Sequence, residues 1–210
     1  VSSENKLYIR TGLCSIKNVG NKALSIIVED RNTNGQYKSL LDFASRMDNN
    51  LLSKSHYENL ALSGSFHSVS SNRKQAFMSA QVLVDLSIAS SGDKYNQQES
   101  IFGDNINLNQ IWKLPDVEDW NEKEKLEKER ISLGFYYSGH PLNSSKSILD
   151  QMGIADISEV NINSKAIIDT VGVVVQVNER SSRNGRFARV IISSIYALQE
   201  VIIYSDIYNE

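Results

Sequence analysis

The residues best suited to chemistry stand near the start of the chain, in Leu13-Cys14-Ser15-Ile16-Lys17-Asn18-Val19-Gly20-Asn21-Lys22-Ala23. A tight turn between two helical stretches leaves the first N–H groups of the second helix without intrahelical acceptors. Those groups, with the helix dipole behind them, favour a phosphate oxygen. Glycine in the turn permits positive φ and lets a sugar–phosphate backbone come close. Lys17, Asn18, Val19, Gly20, Asn21 and Lys22 are therefore the candidate duplex-DNA contacts, with Val19 plugging the gap between the helices and the two lysines supplying long-range attraction. This is the form of a helix-hairpin-helix, which positions a duplex without reading its sequence. An ordinary αα-hairpin fits the same spacing equally well, and Asn18 stands where the commoner motif has its first glycine.

Two further groupings could bind. Gln98-Glu99-Ser100-Ile101-Phe102 sets an apolar-aromatic pair in a polar stretch. Ile101 and Phe102 would be buried anchors in a partner's hydrophobic pocket and Gln98 a polar peg. A linker folding back on its own core explains the same residues, and from the residues alone it explains them better. Arg180, Arg183, Arg186 and Arg189 surround Phe187 at an expected β-hairpin. Arginine attracts phosphate and stacks on bases, and Phe187 adds a stacking face for single-stranded nucleic acid. A solvated hairpin tip is an equal reading.

Catalytic constellations are missing. His56, His67 and His140 are scattered without ligand-spaced carboxylates, so no metal site and no cofactor are expected in this chain. There is no phosphate-cradling glycine loop and no nucleophile elbow. The carboxylates from Asp116 to Glu129 alternate with lysines as on a solvated helical face, and none forms the set that holds two metal ions in polymerase chemistry. The one cysteine, Cys14, excludes an intramolecular disulfide, and its apolar neighbours predict a buried thiol.

The elements that must position these groups follow from periodicity. The spacing predicts helices over Ile9–Lys17, Asn21–Arg31, Leu40–Met47 (capped by Ser39 with Asp42), Ser55–Leu62 ending at Gly64, a long helix capped by Asn72 and reaching Ile88, Asn121–Leu133 ending at Gly134, and Ser145–Met152 ending at Gly153. From Ala166 the period becomes two, with strands at Ala166–Val177, Phe187–Ser193 and Glu200–Tyr204, the first two joined through Asn178–Arg186 with Asn184-Gly185 as the turn. The expected class is mainly α with a small β part. The expected domains are a tandem helix-hairpin-helix over 1–89, a mobile linker over 90–110, a helical connector over 111–160 and an incomplete antiparallel barrel over 166–210. With a net charge of -3 on 210 residues, any positive potential toward nucleic acid must be local. No apolar run approaches the ~20 residues that span a bilayer, and the start has no signal-peptide form. Val1 in place of Met suggests a partial chain. A cytoplasmic setting without membrane contact is expected.

The order of these segments is similar to that of a known family. Ile9-Arg10-Thr11-Gly12-Leu13 through Gly20, then Ser39-Leu40-Leu41-Asp42-Phe43, Asn59-Leu60-Ala61-Leu62-Ser63-Gly64-Ser65-Phe66 and Asn72-Arg73 resemble the region after the fingers in the alpha subunit of bacterial DNA polymerase III. Leu133-Gly134-Phe135-Tyr136-Tyr137-Ser138-Gly139-His140-Pro141-Leu142 is the most specific stretch, and Val201-Ile202-Ile203-Tyr204 resembles the start of the family's OB domain. The resemblance implies that the hairpins hold duplex DNA behind the active site. It implies that Gln98, Ile101 and Phe102 form the peptide bound by the sliding clamp (the beta subunit), which favours docking over folding back. It also implies that the OB part approaches single-stranded template, and that other replisome subunits bind regions outside this chain. The catalytic aspartates, with their divalent metal (magnesium), lie upstream in the family, so this chain alone is expected to be inactive. The second hairpin, at Gly64, has no lysine or arginine nearby before Arg73 and Lys74 and is carried over as architecture; Ser194-Ile195-Tyr196-Ala197 departs from the family's acidic, glycine-containing turn. A standalone nucleic-acid-binding or repair module is the other functional reading, and a purely structural connector a third.

Overall fold

Short polar side chains and glycines decide where the helices start and stop. The computed structural model describes residues 11–48, 51–95, 112–160, 167–183 and 185–208, in two compact units, Val1–Tyr137 and Ser138–Glu210. In the first unit a 3-10 turn, Leu13–Ser15, precedes α1 (Asn21–Asn34), which ends at Gly35 with φ 83°. α2 (Leu40–Arg46) opens on Ser39, whose Oγ accepts the Asp42 N–H at 3.0 Å. α3 (Lys54–Leu62) opens on Ser53, reciprocally capped with His56. α4 (Arg73–Met78) opens on Asn72, whose side chain accepts the Gln75 N–H at 2.8 Å. α5 is Ala80–Tyr95, and α6 (Glu122–Leu133) lies between a capping box of Asn121 with Glu124 and a left-handed Gly134 at φ 93°.

Leu24 and Ile27 of α1, Leu40, Leu41, Phe43 and Ala44 of α2, Tyr57, Leu60 and Ala61 of α3, and Leu83 and Leu86 of α5 bury their side chains in one core. Phe43 is its hub, edge-on to Tyr37, Phe66 and Tyr57 with ring centroids 4.8, 5.1 and 5.9 Å away. Arg46 seals the loop after α1, pairing with Asp30 at 2.6 Å and lying 4.2 Å from the Tyr37 ring centroid. Burial raises the Asp30 pKa, but hydrogen bonds from Asn34, Tyr37 and Arg46 outweigh it and hold that carboxyl below its ordinary value.

Several expectations change here. The helix expected over Ile9–Lys17 is, among the described residues, only the 3-10 turn Leu13–Ser15. Ile16 N–H already takes the Leu13 carbonyl at 3.0 Å, and Lys17 N–H leaves the helical pattern for Ser132 O at 2.7 Å. Cys14 is exposed instead of buried, because the tight 3-10 turn directs Ile16 inward and leaves Cys14 outside. The long helix from Asn72 is broken at Ser79, whose side chain bonds back to Gln75 O at 2.7 Å, and its second part runs past Ile88 to Tyr95, into the stretch read as linker. The solvated face expected for Asp116–Glu129 fails at Glu129, which is 0% exposed and paired with Arg73 at 2.7 Å. Residues 112–137, expected in a separate connector, lie within the first unit. They are fastened to α4 by Asn72 Nδ2 on Val117 O (2.6 Å), Gln75 Nε2 on Pro115 O (2.9 Å) and Lys74 N–H on Asp119 (3.0 Å).

The second unit carries a 3-10 turn, Pro141–Ser145, then α7 (Lys146–Gln151), which is followed by Gly153 at φ 69°. An open antiparallel sheet, ordered β1-β2-β3, is made of β1 (Val173–Ser182), β2 (Gly185–Ser193) and β3 (Leu198–Ile203), followed by α8 (Ser205–Tyr208). The expected turn Asn178–Arg186 is much shorter, since β1 continues until Ser182 pairs with Gly185. The polar run Asn178–Ser182 hides a strand because its residues project from the sheet into solvent. Ser194 replaces an acidic turn residue with its own bonds: N–H to Ala197 O at 2.8 Å and Oγ to Asp156 at 2.8 Å. His140 is buried, with Nδ1 accepting the Leu142 N–H at 3.2 Å, so that Nε2 carries the ring proton and donates to Ser193 Oγ at 3.1 Å.

Two stability predictions follow from these buried polar groups. Glu129→Ala leaves the Arg73 guanidinium uncompensated and is expected to cost about 3–5 kcal/mol, whereas Arg73→Met/Glu129→Met together cost far less; urea unfolding measures both. Burial lowers the His140 pKa from its ordinary 6.5. The unfolded chain therefore binds the proton more readily, and the contribution of neutral His140 is complete above about pH 6.5 and lost as pH falls below it. Thermal melts between pH 5 and 8 are expected to show that loss in the native chain and not in His140→Gln.

Candidate nucleic-acid interface

The turn between the 3-10 segment and α1 takes its shape from three residues. Asn18 adopts the left-handed conformation, φ 61°, which asparagine tolerates better than most side chains. Val19 is 5% exposed and enters the core. Gly20 then sits at φ -68° and ψ 151°, an extended conformation open to any residue. The positive φ expected at Gly20 is thus supplied by Asn18, two residues earlier.

Gly20 is not required by its own fold in the other sense either, for a Cβ built on it meets nothing within 4 Å. What lies over Gly20 is open space. The ladder of α1 begins with Leu24 N–H on Gly20 O at 3.2 Å, so the N–H groups of Asn21, Lys22 and Ala23 come before it, and no acceptor faces them among the described residues. Lys17, Asn18, Gly20, Asn21 and Lys22 are all exposed around this end. The arrangement offers backbone donors, a helix dipole and two ammonium groups to an anion that can approach closely.

The second turn, at Gly64, is built differently. Gly64 has φ 76°, and a Cβ there would stand 2.7 Å from the Arg73 guanidinium, which covers the turn on its way to Glu129. Arg73 is half-buried and committed to the fully buried Glu129.

In the second unit, alternation along the strands sorts the basic residues. Directly opposed residues share a face. Arg180 opposes Phe187, Asn178 opposes Arg189 and Gln176 opposes Ile191, which gathers Arg180, Phe187 and Arg189 on one face. Arg186 lies on the other with Ala188 and Val190, its guanidinium on Glu179 at 2.6 Å. Arg183 is exposed at the end of β1 beside the turn, and Arg189 approaches Glu200 at 3.6 Å on an open surface. The sequence cluster is therefore two clusters in space.

Gln98, Ile101 and Phe102 lie outside the described residues, as does Asn184. No group of three or more His, Cys, Asp or Glu able to hold a metal ion occurs among the described residues, and no described helix is long and apolar enough to cross a membrane. Sequence reasoning missed the residues that hold the first turn from a distance, Ser132 and Gly134. Gly134 was legible as a helix stop, but nothing in its spacing announces that Lys17 lies against it, with Cε and Nζ each 3.2 Å from a hypothetical Cβ.

A helix-hairpin-helix motif family model matches residues 1–76. Over 194 residues the chain is 31% identical to DNA polymerase III subunit alpha of Caulobacter vibrioides, a match covering 90% of this chain and 17% of that protein. The same subunit of Aquifex aeolicus is 29% identical over 213 residues, 100% of this chain and 16% of its own length. That of Borreliella burgdorferi is 27% identical over 207 residues, 96% and 18%. The chain spans less than a fifth of the length of these curated relatives.

Proposed function

We propose that this chain, a homologue of one stretch of bacterial DNA polymerase III alpha subunits, holds product duplex for such a polymerase, presents a peptide to the sliding clamp and offers a basic strand face to single-stranded template. The observation that carries the duplex reading is the first hairpin, where free N–H groups, Lys17 and Lys22 surround a glycine whose absent side chain serves no internal need. Phosphate contacts of this kind orient DNA without selecting sequence, as a replicative enzyme requires.

The clamp reading rests on Gln98, Ile101 and Phe102, an apolar-aromatic pair with a polar peg at the place where the resemblance puts the clamp peptide. Arg180, Phe187 and Arg189 on one strand face, with Arg183 at its tip, suit a backbone-tracking groove with a stacking ring; Arg186 on the opposite face serves chiefly its pair with Glu179. The three antiparallel strands are read as the beginning of an OB barrel. Nucleotide transfer, its aspartates and its magnesium belong to the longer polymerase, which meets other replisome subunits through regions beyond this chain and works in the cytoplasm.

Gly20→Val is expected to weaken duplex binding severalfold while costing no more than about 1 kcal/mol of stability, the scale of an N-cap change. In the same anisotropy titration Lys22→Ala is expected to lower the slope of log K against log salt by about 0.9, one phosphate's share. Unchanged affinity in both would leave the hairpin as packing alone. For the clamp, Ile101→Ala/Phe102→Ala is expected to reduce affinity for the isolated sliding clamp by at least about 30-fold, the scale of a lost hot spot; equal affinities for native and double variant would remove that part.

A further inference from the structure

The first hairpin turn is held from outside the matched motif, which stops at residue 76. Lys17 N–H donates to Ser132 O at 2.7 Å in the last turn of α6. That bond draws Lys17 out of the helical ladder at the residue before Asn18 takes φ 61°, so it fixes where the turn begins. Two residues beyond Ser132, Gly134 makes the left-handed cap at φ 93° and leaves room for the Lys17 side chain, whose Cε and Nζ would be 3.2 Å from any Cβ. One turn earlier on the same helix, Glu129 grips Arg73 at 2.7 Å, and Arg73 covers Gly64 in the second turn. The end of a single helix thus reaches both turns, the first directly and the second through Arg73.

We infer that the C-terminal end of α6 is the positioning element of the hairpin pair, with Gly134 and Ser132 setting the placement of Lys17 against a duplex and Glu129 setting the second turn through Arg73. The inference rests on the duplex-binding reading above. Gly134 acts through Lys17 and does not touch DNA. Filling its space displaces the far end of a flexible side chain, which moves the ammonium without disturbing the core. Asparagine at 134 preserves the left-handed cap while adding the Cβ.

The test uses the full chain, a labelled duplex and anisotropy titrations over a range of salt. Gly134→Asn is expected to keep the native unfolding midpoint, to weaken duplex binding severalfold, and to lower the salt slope by about 0.9 as Lys17→Ala does. Lys17→Ala/Gly134→Asn is expected to bind no more weakly than Lys17→Ala alone, since the glycine has nothing left to position. Native affinity in Gly134→Asn, or summed losses in the double variant, overturns the assignment of Gly134. Arg73→Met/Glu129→Met, which removes the second grip without stranding a buried charge, is expected to weaken binding at an unchanged salt slope; native affinity there overturns the assignment of Glu129. If Lys17→Ala and Gly20→Val both bind like the native chain, the duplex reading itself is wrong, an outcome distinct from failure of the Gly134 and Glu129 variants alone.

Discussion

A carboxylate with no exposed surface must be given a cation, and that requirement organises the helical unit. Glu129 has Arg73, and an ion pair so placed tolerates little displacement because each partner left alone would be a desolvated charge. The guanidinium reaches it only by passing over Gly64, where no larger residue has room. α6 is thereby tied to the start of α4, the extended segment before α6 lies along the same end, and Ser132 arrives within reach of Lys17. The charge pair thus sits on the same helix whose end, through Ser132 O, bonds the turn ahead of α1.

Local chemistry was legible in the sequence wherever a residue acts on its near neighbours. Ser39 and Asn72 cap the helices that follow them, and Gly64, Gly134 and Gly153 take positive φ at or just past the ends of others. Alternation announced three strands in the right order. What stayed hidden depends on partners far along the chain. Lys17 abandons its helix for Ser132, and Glu129 looks like any other charge on a helix of alternating glutamates and lysines until Arg73 is placed against it. The candidate site was half visible for the same reason. Lys17, Asn18, Gly20, Asn21 and Lys22 are exposed together while Val19 is buried, but the turn works through Asn18 in place of Gly20, and the arginines of the hairpin divide between two faces once the strand is seen to run on to Ser182.

A chain with net charge -3 attracts DNA only where its cations are left free for it. The ion pairs show where they are not: Arg46 with Asp30, Arg73 with Glu129, Lys125 with Asp119 and Arg130 with Glu127 are all committed within the helical unit. Lys17 and Lys22, exposed beside the start of α1, stand outside that set of pairs. The binding proposed for this end would be local in origin, and its strength would fall steeply with salt.

The exposure of Cys14 carries a consequence of a different sort. It is the chain's one thiol, and it stands on the 3-10 turn that leads into the hairpin. Maleimide chemistry will therefore attach a single dye, spin label or crosslinker at a defined point a few residues before the start of α1. Oxidation in air has one product of its kind available, a disulfide between two copies, which would join them beside their hairpins.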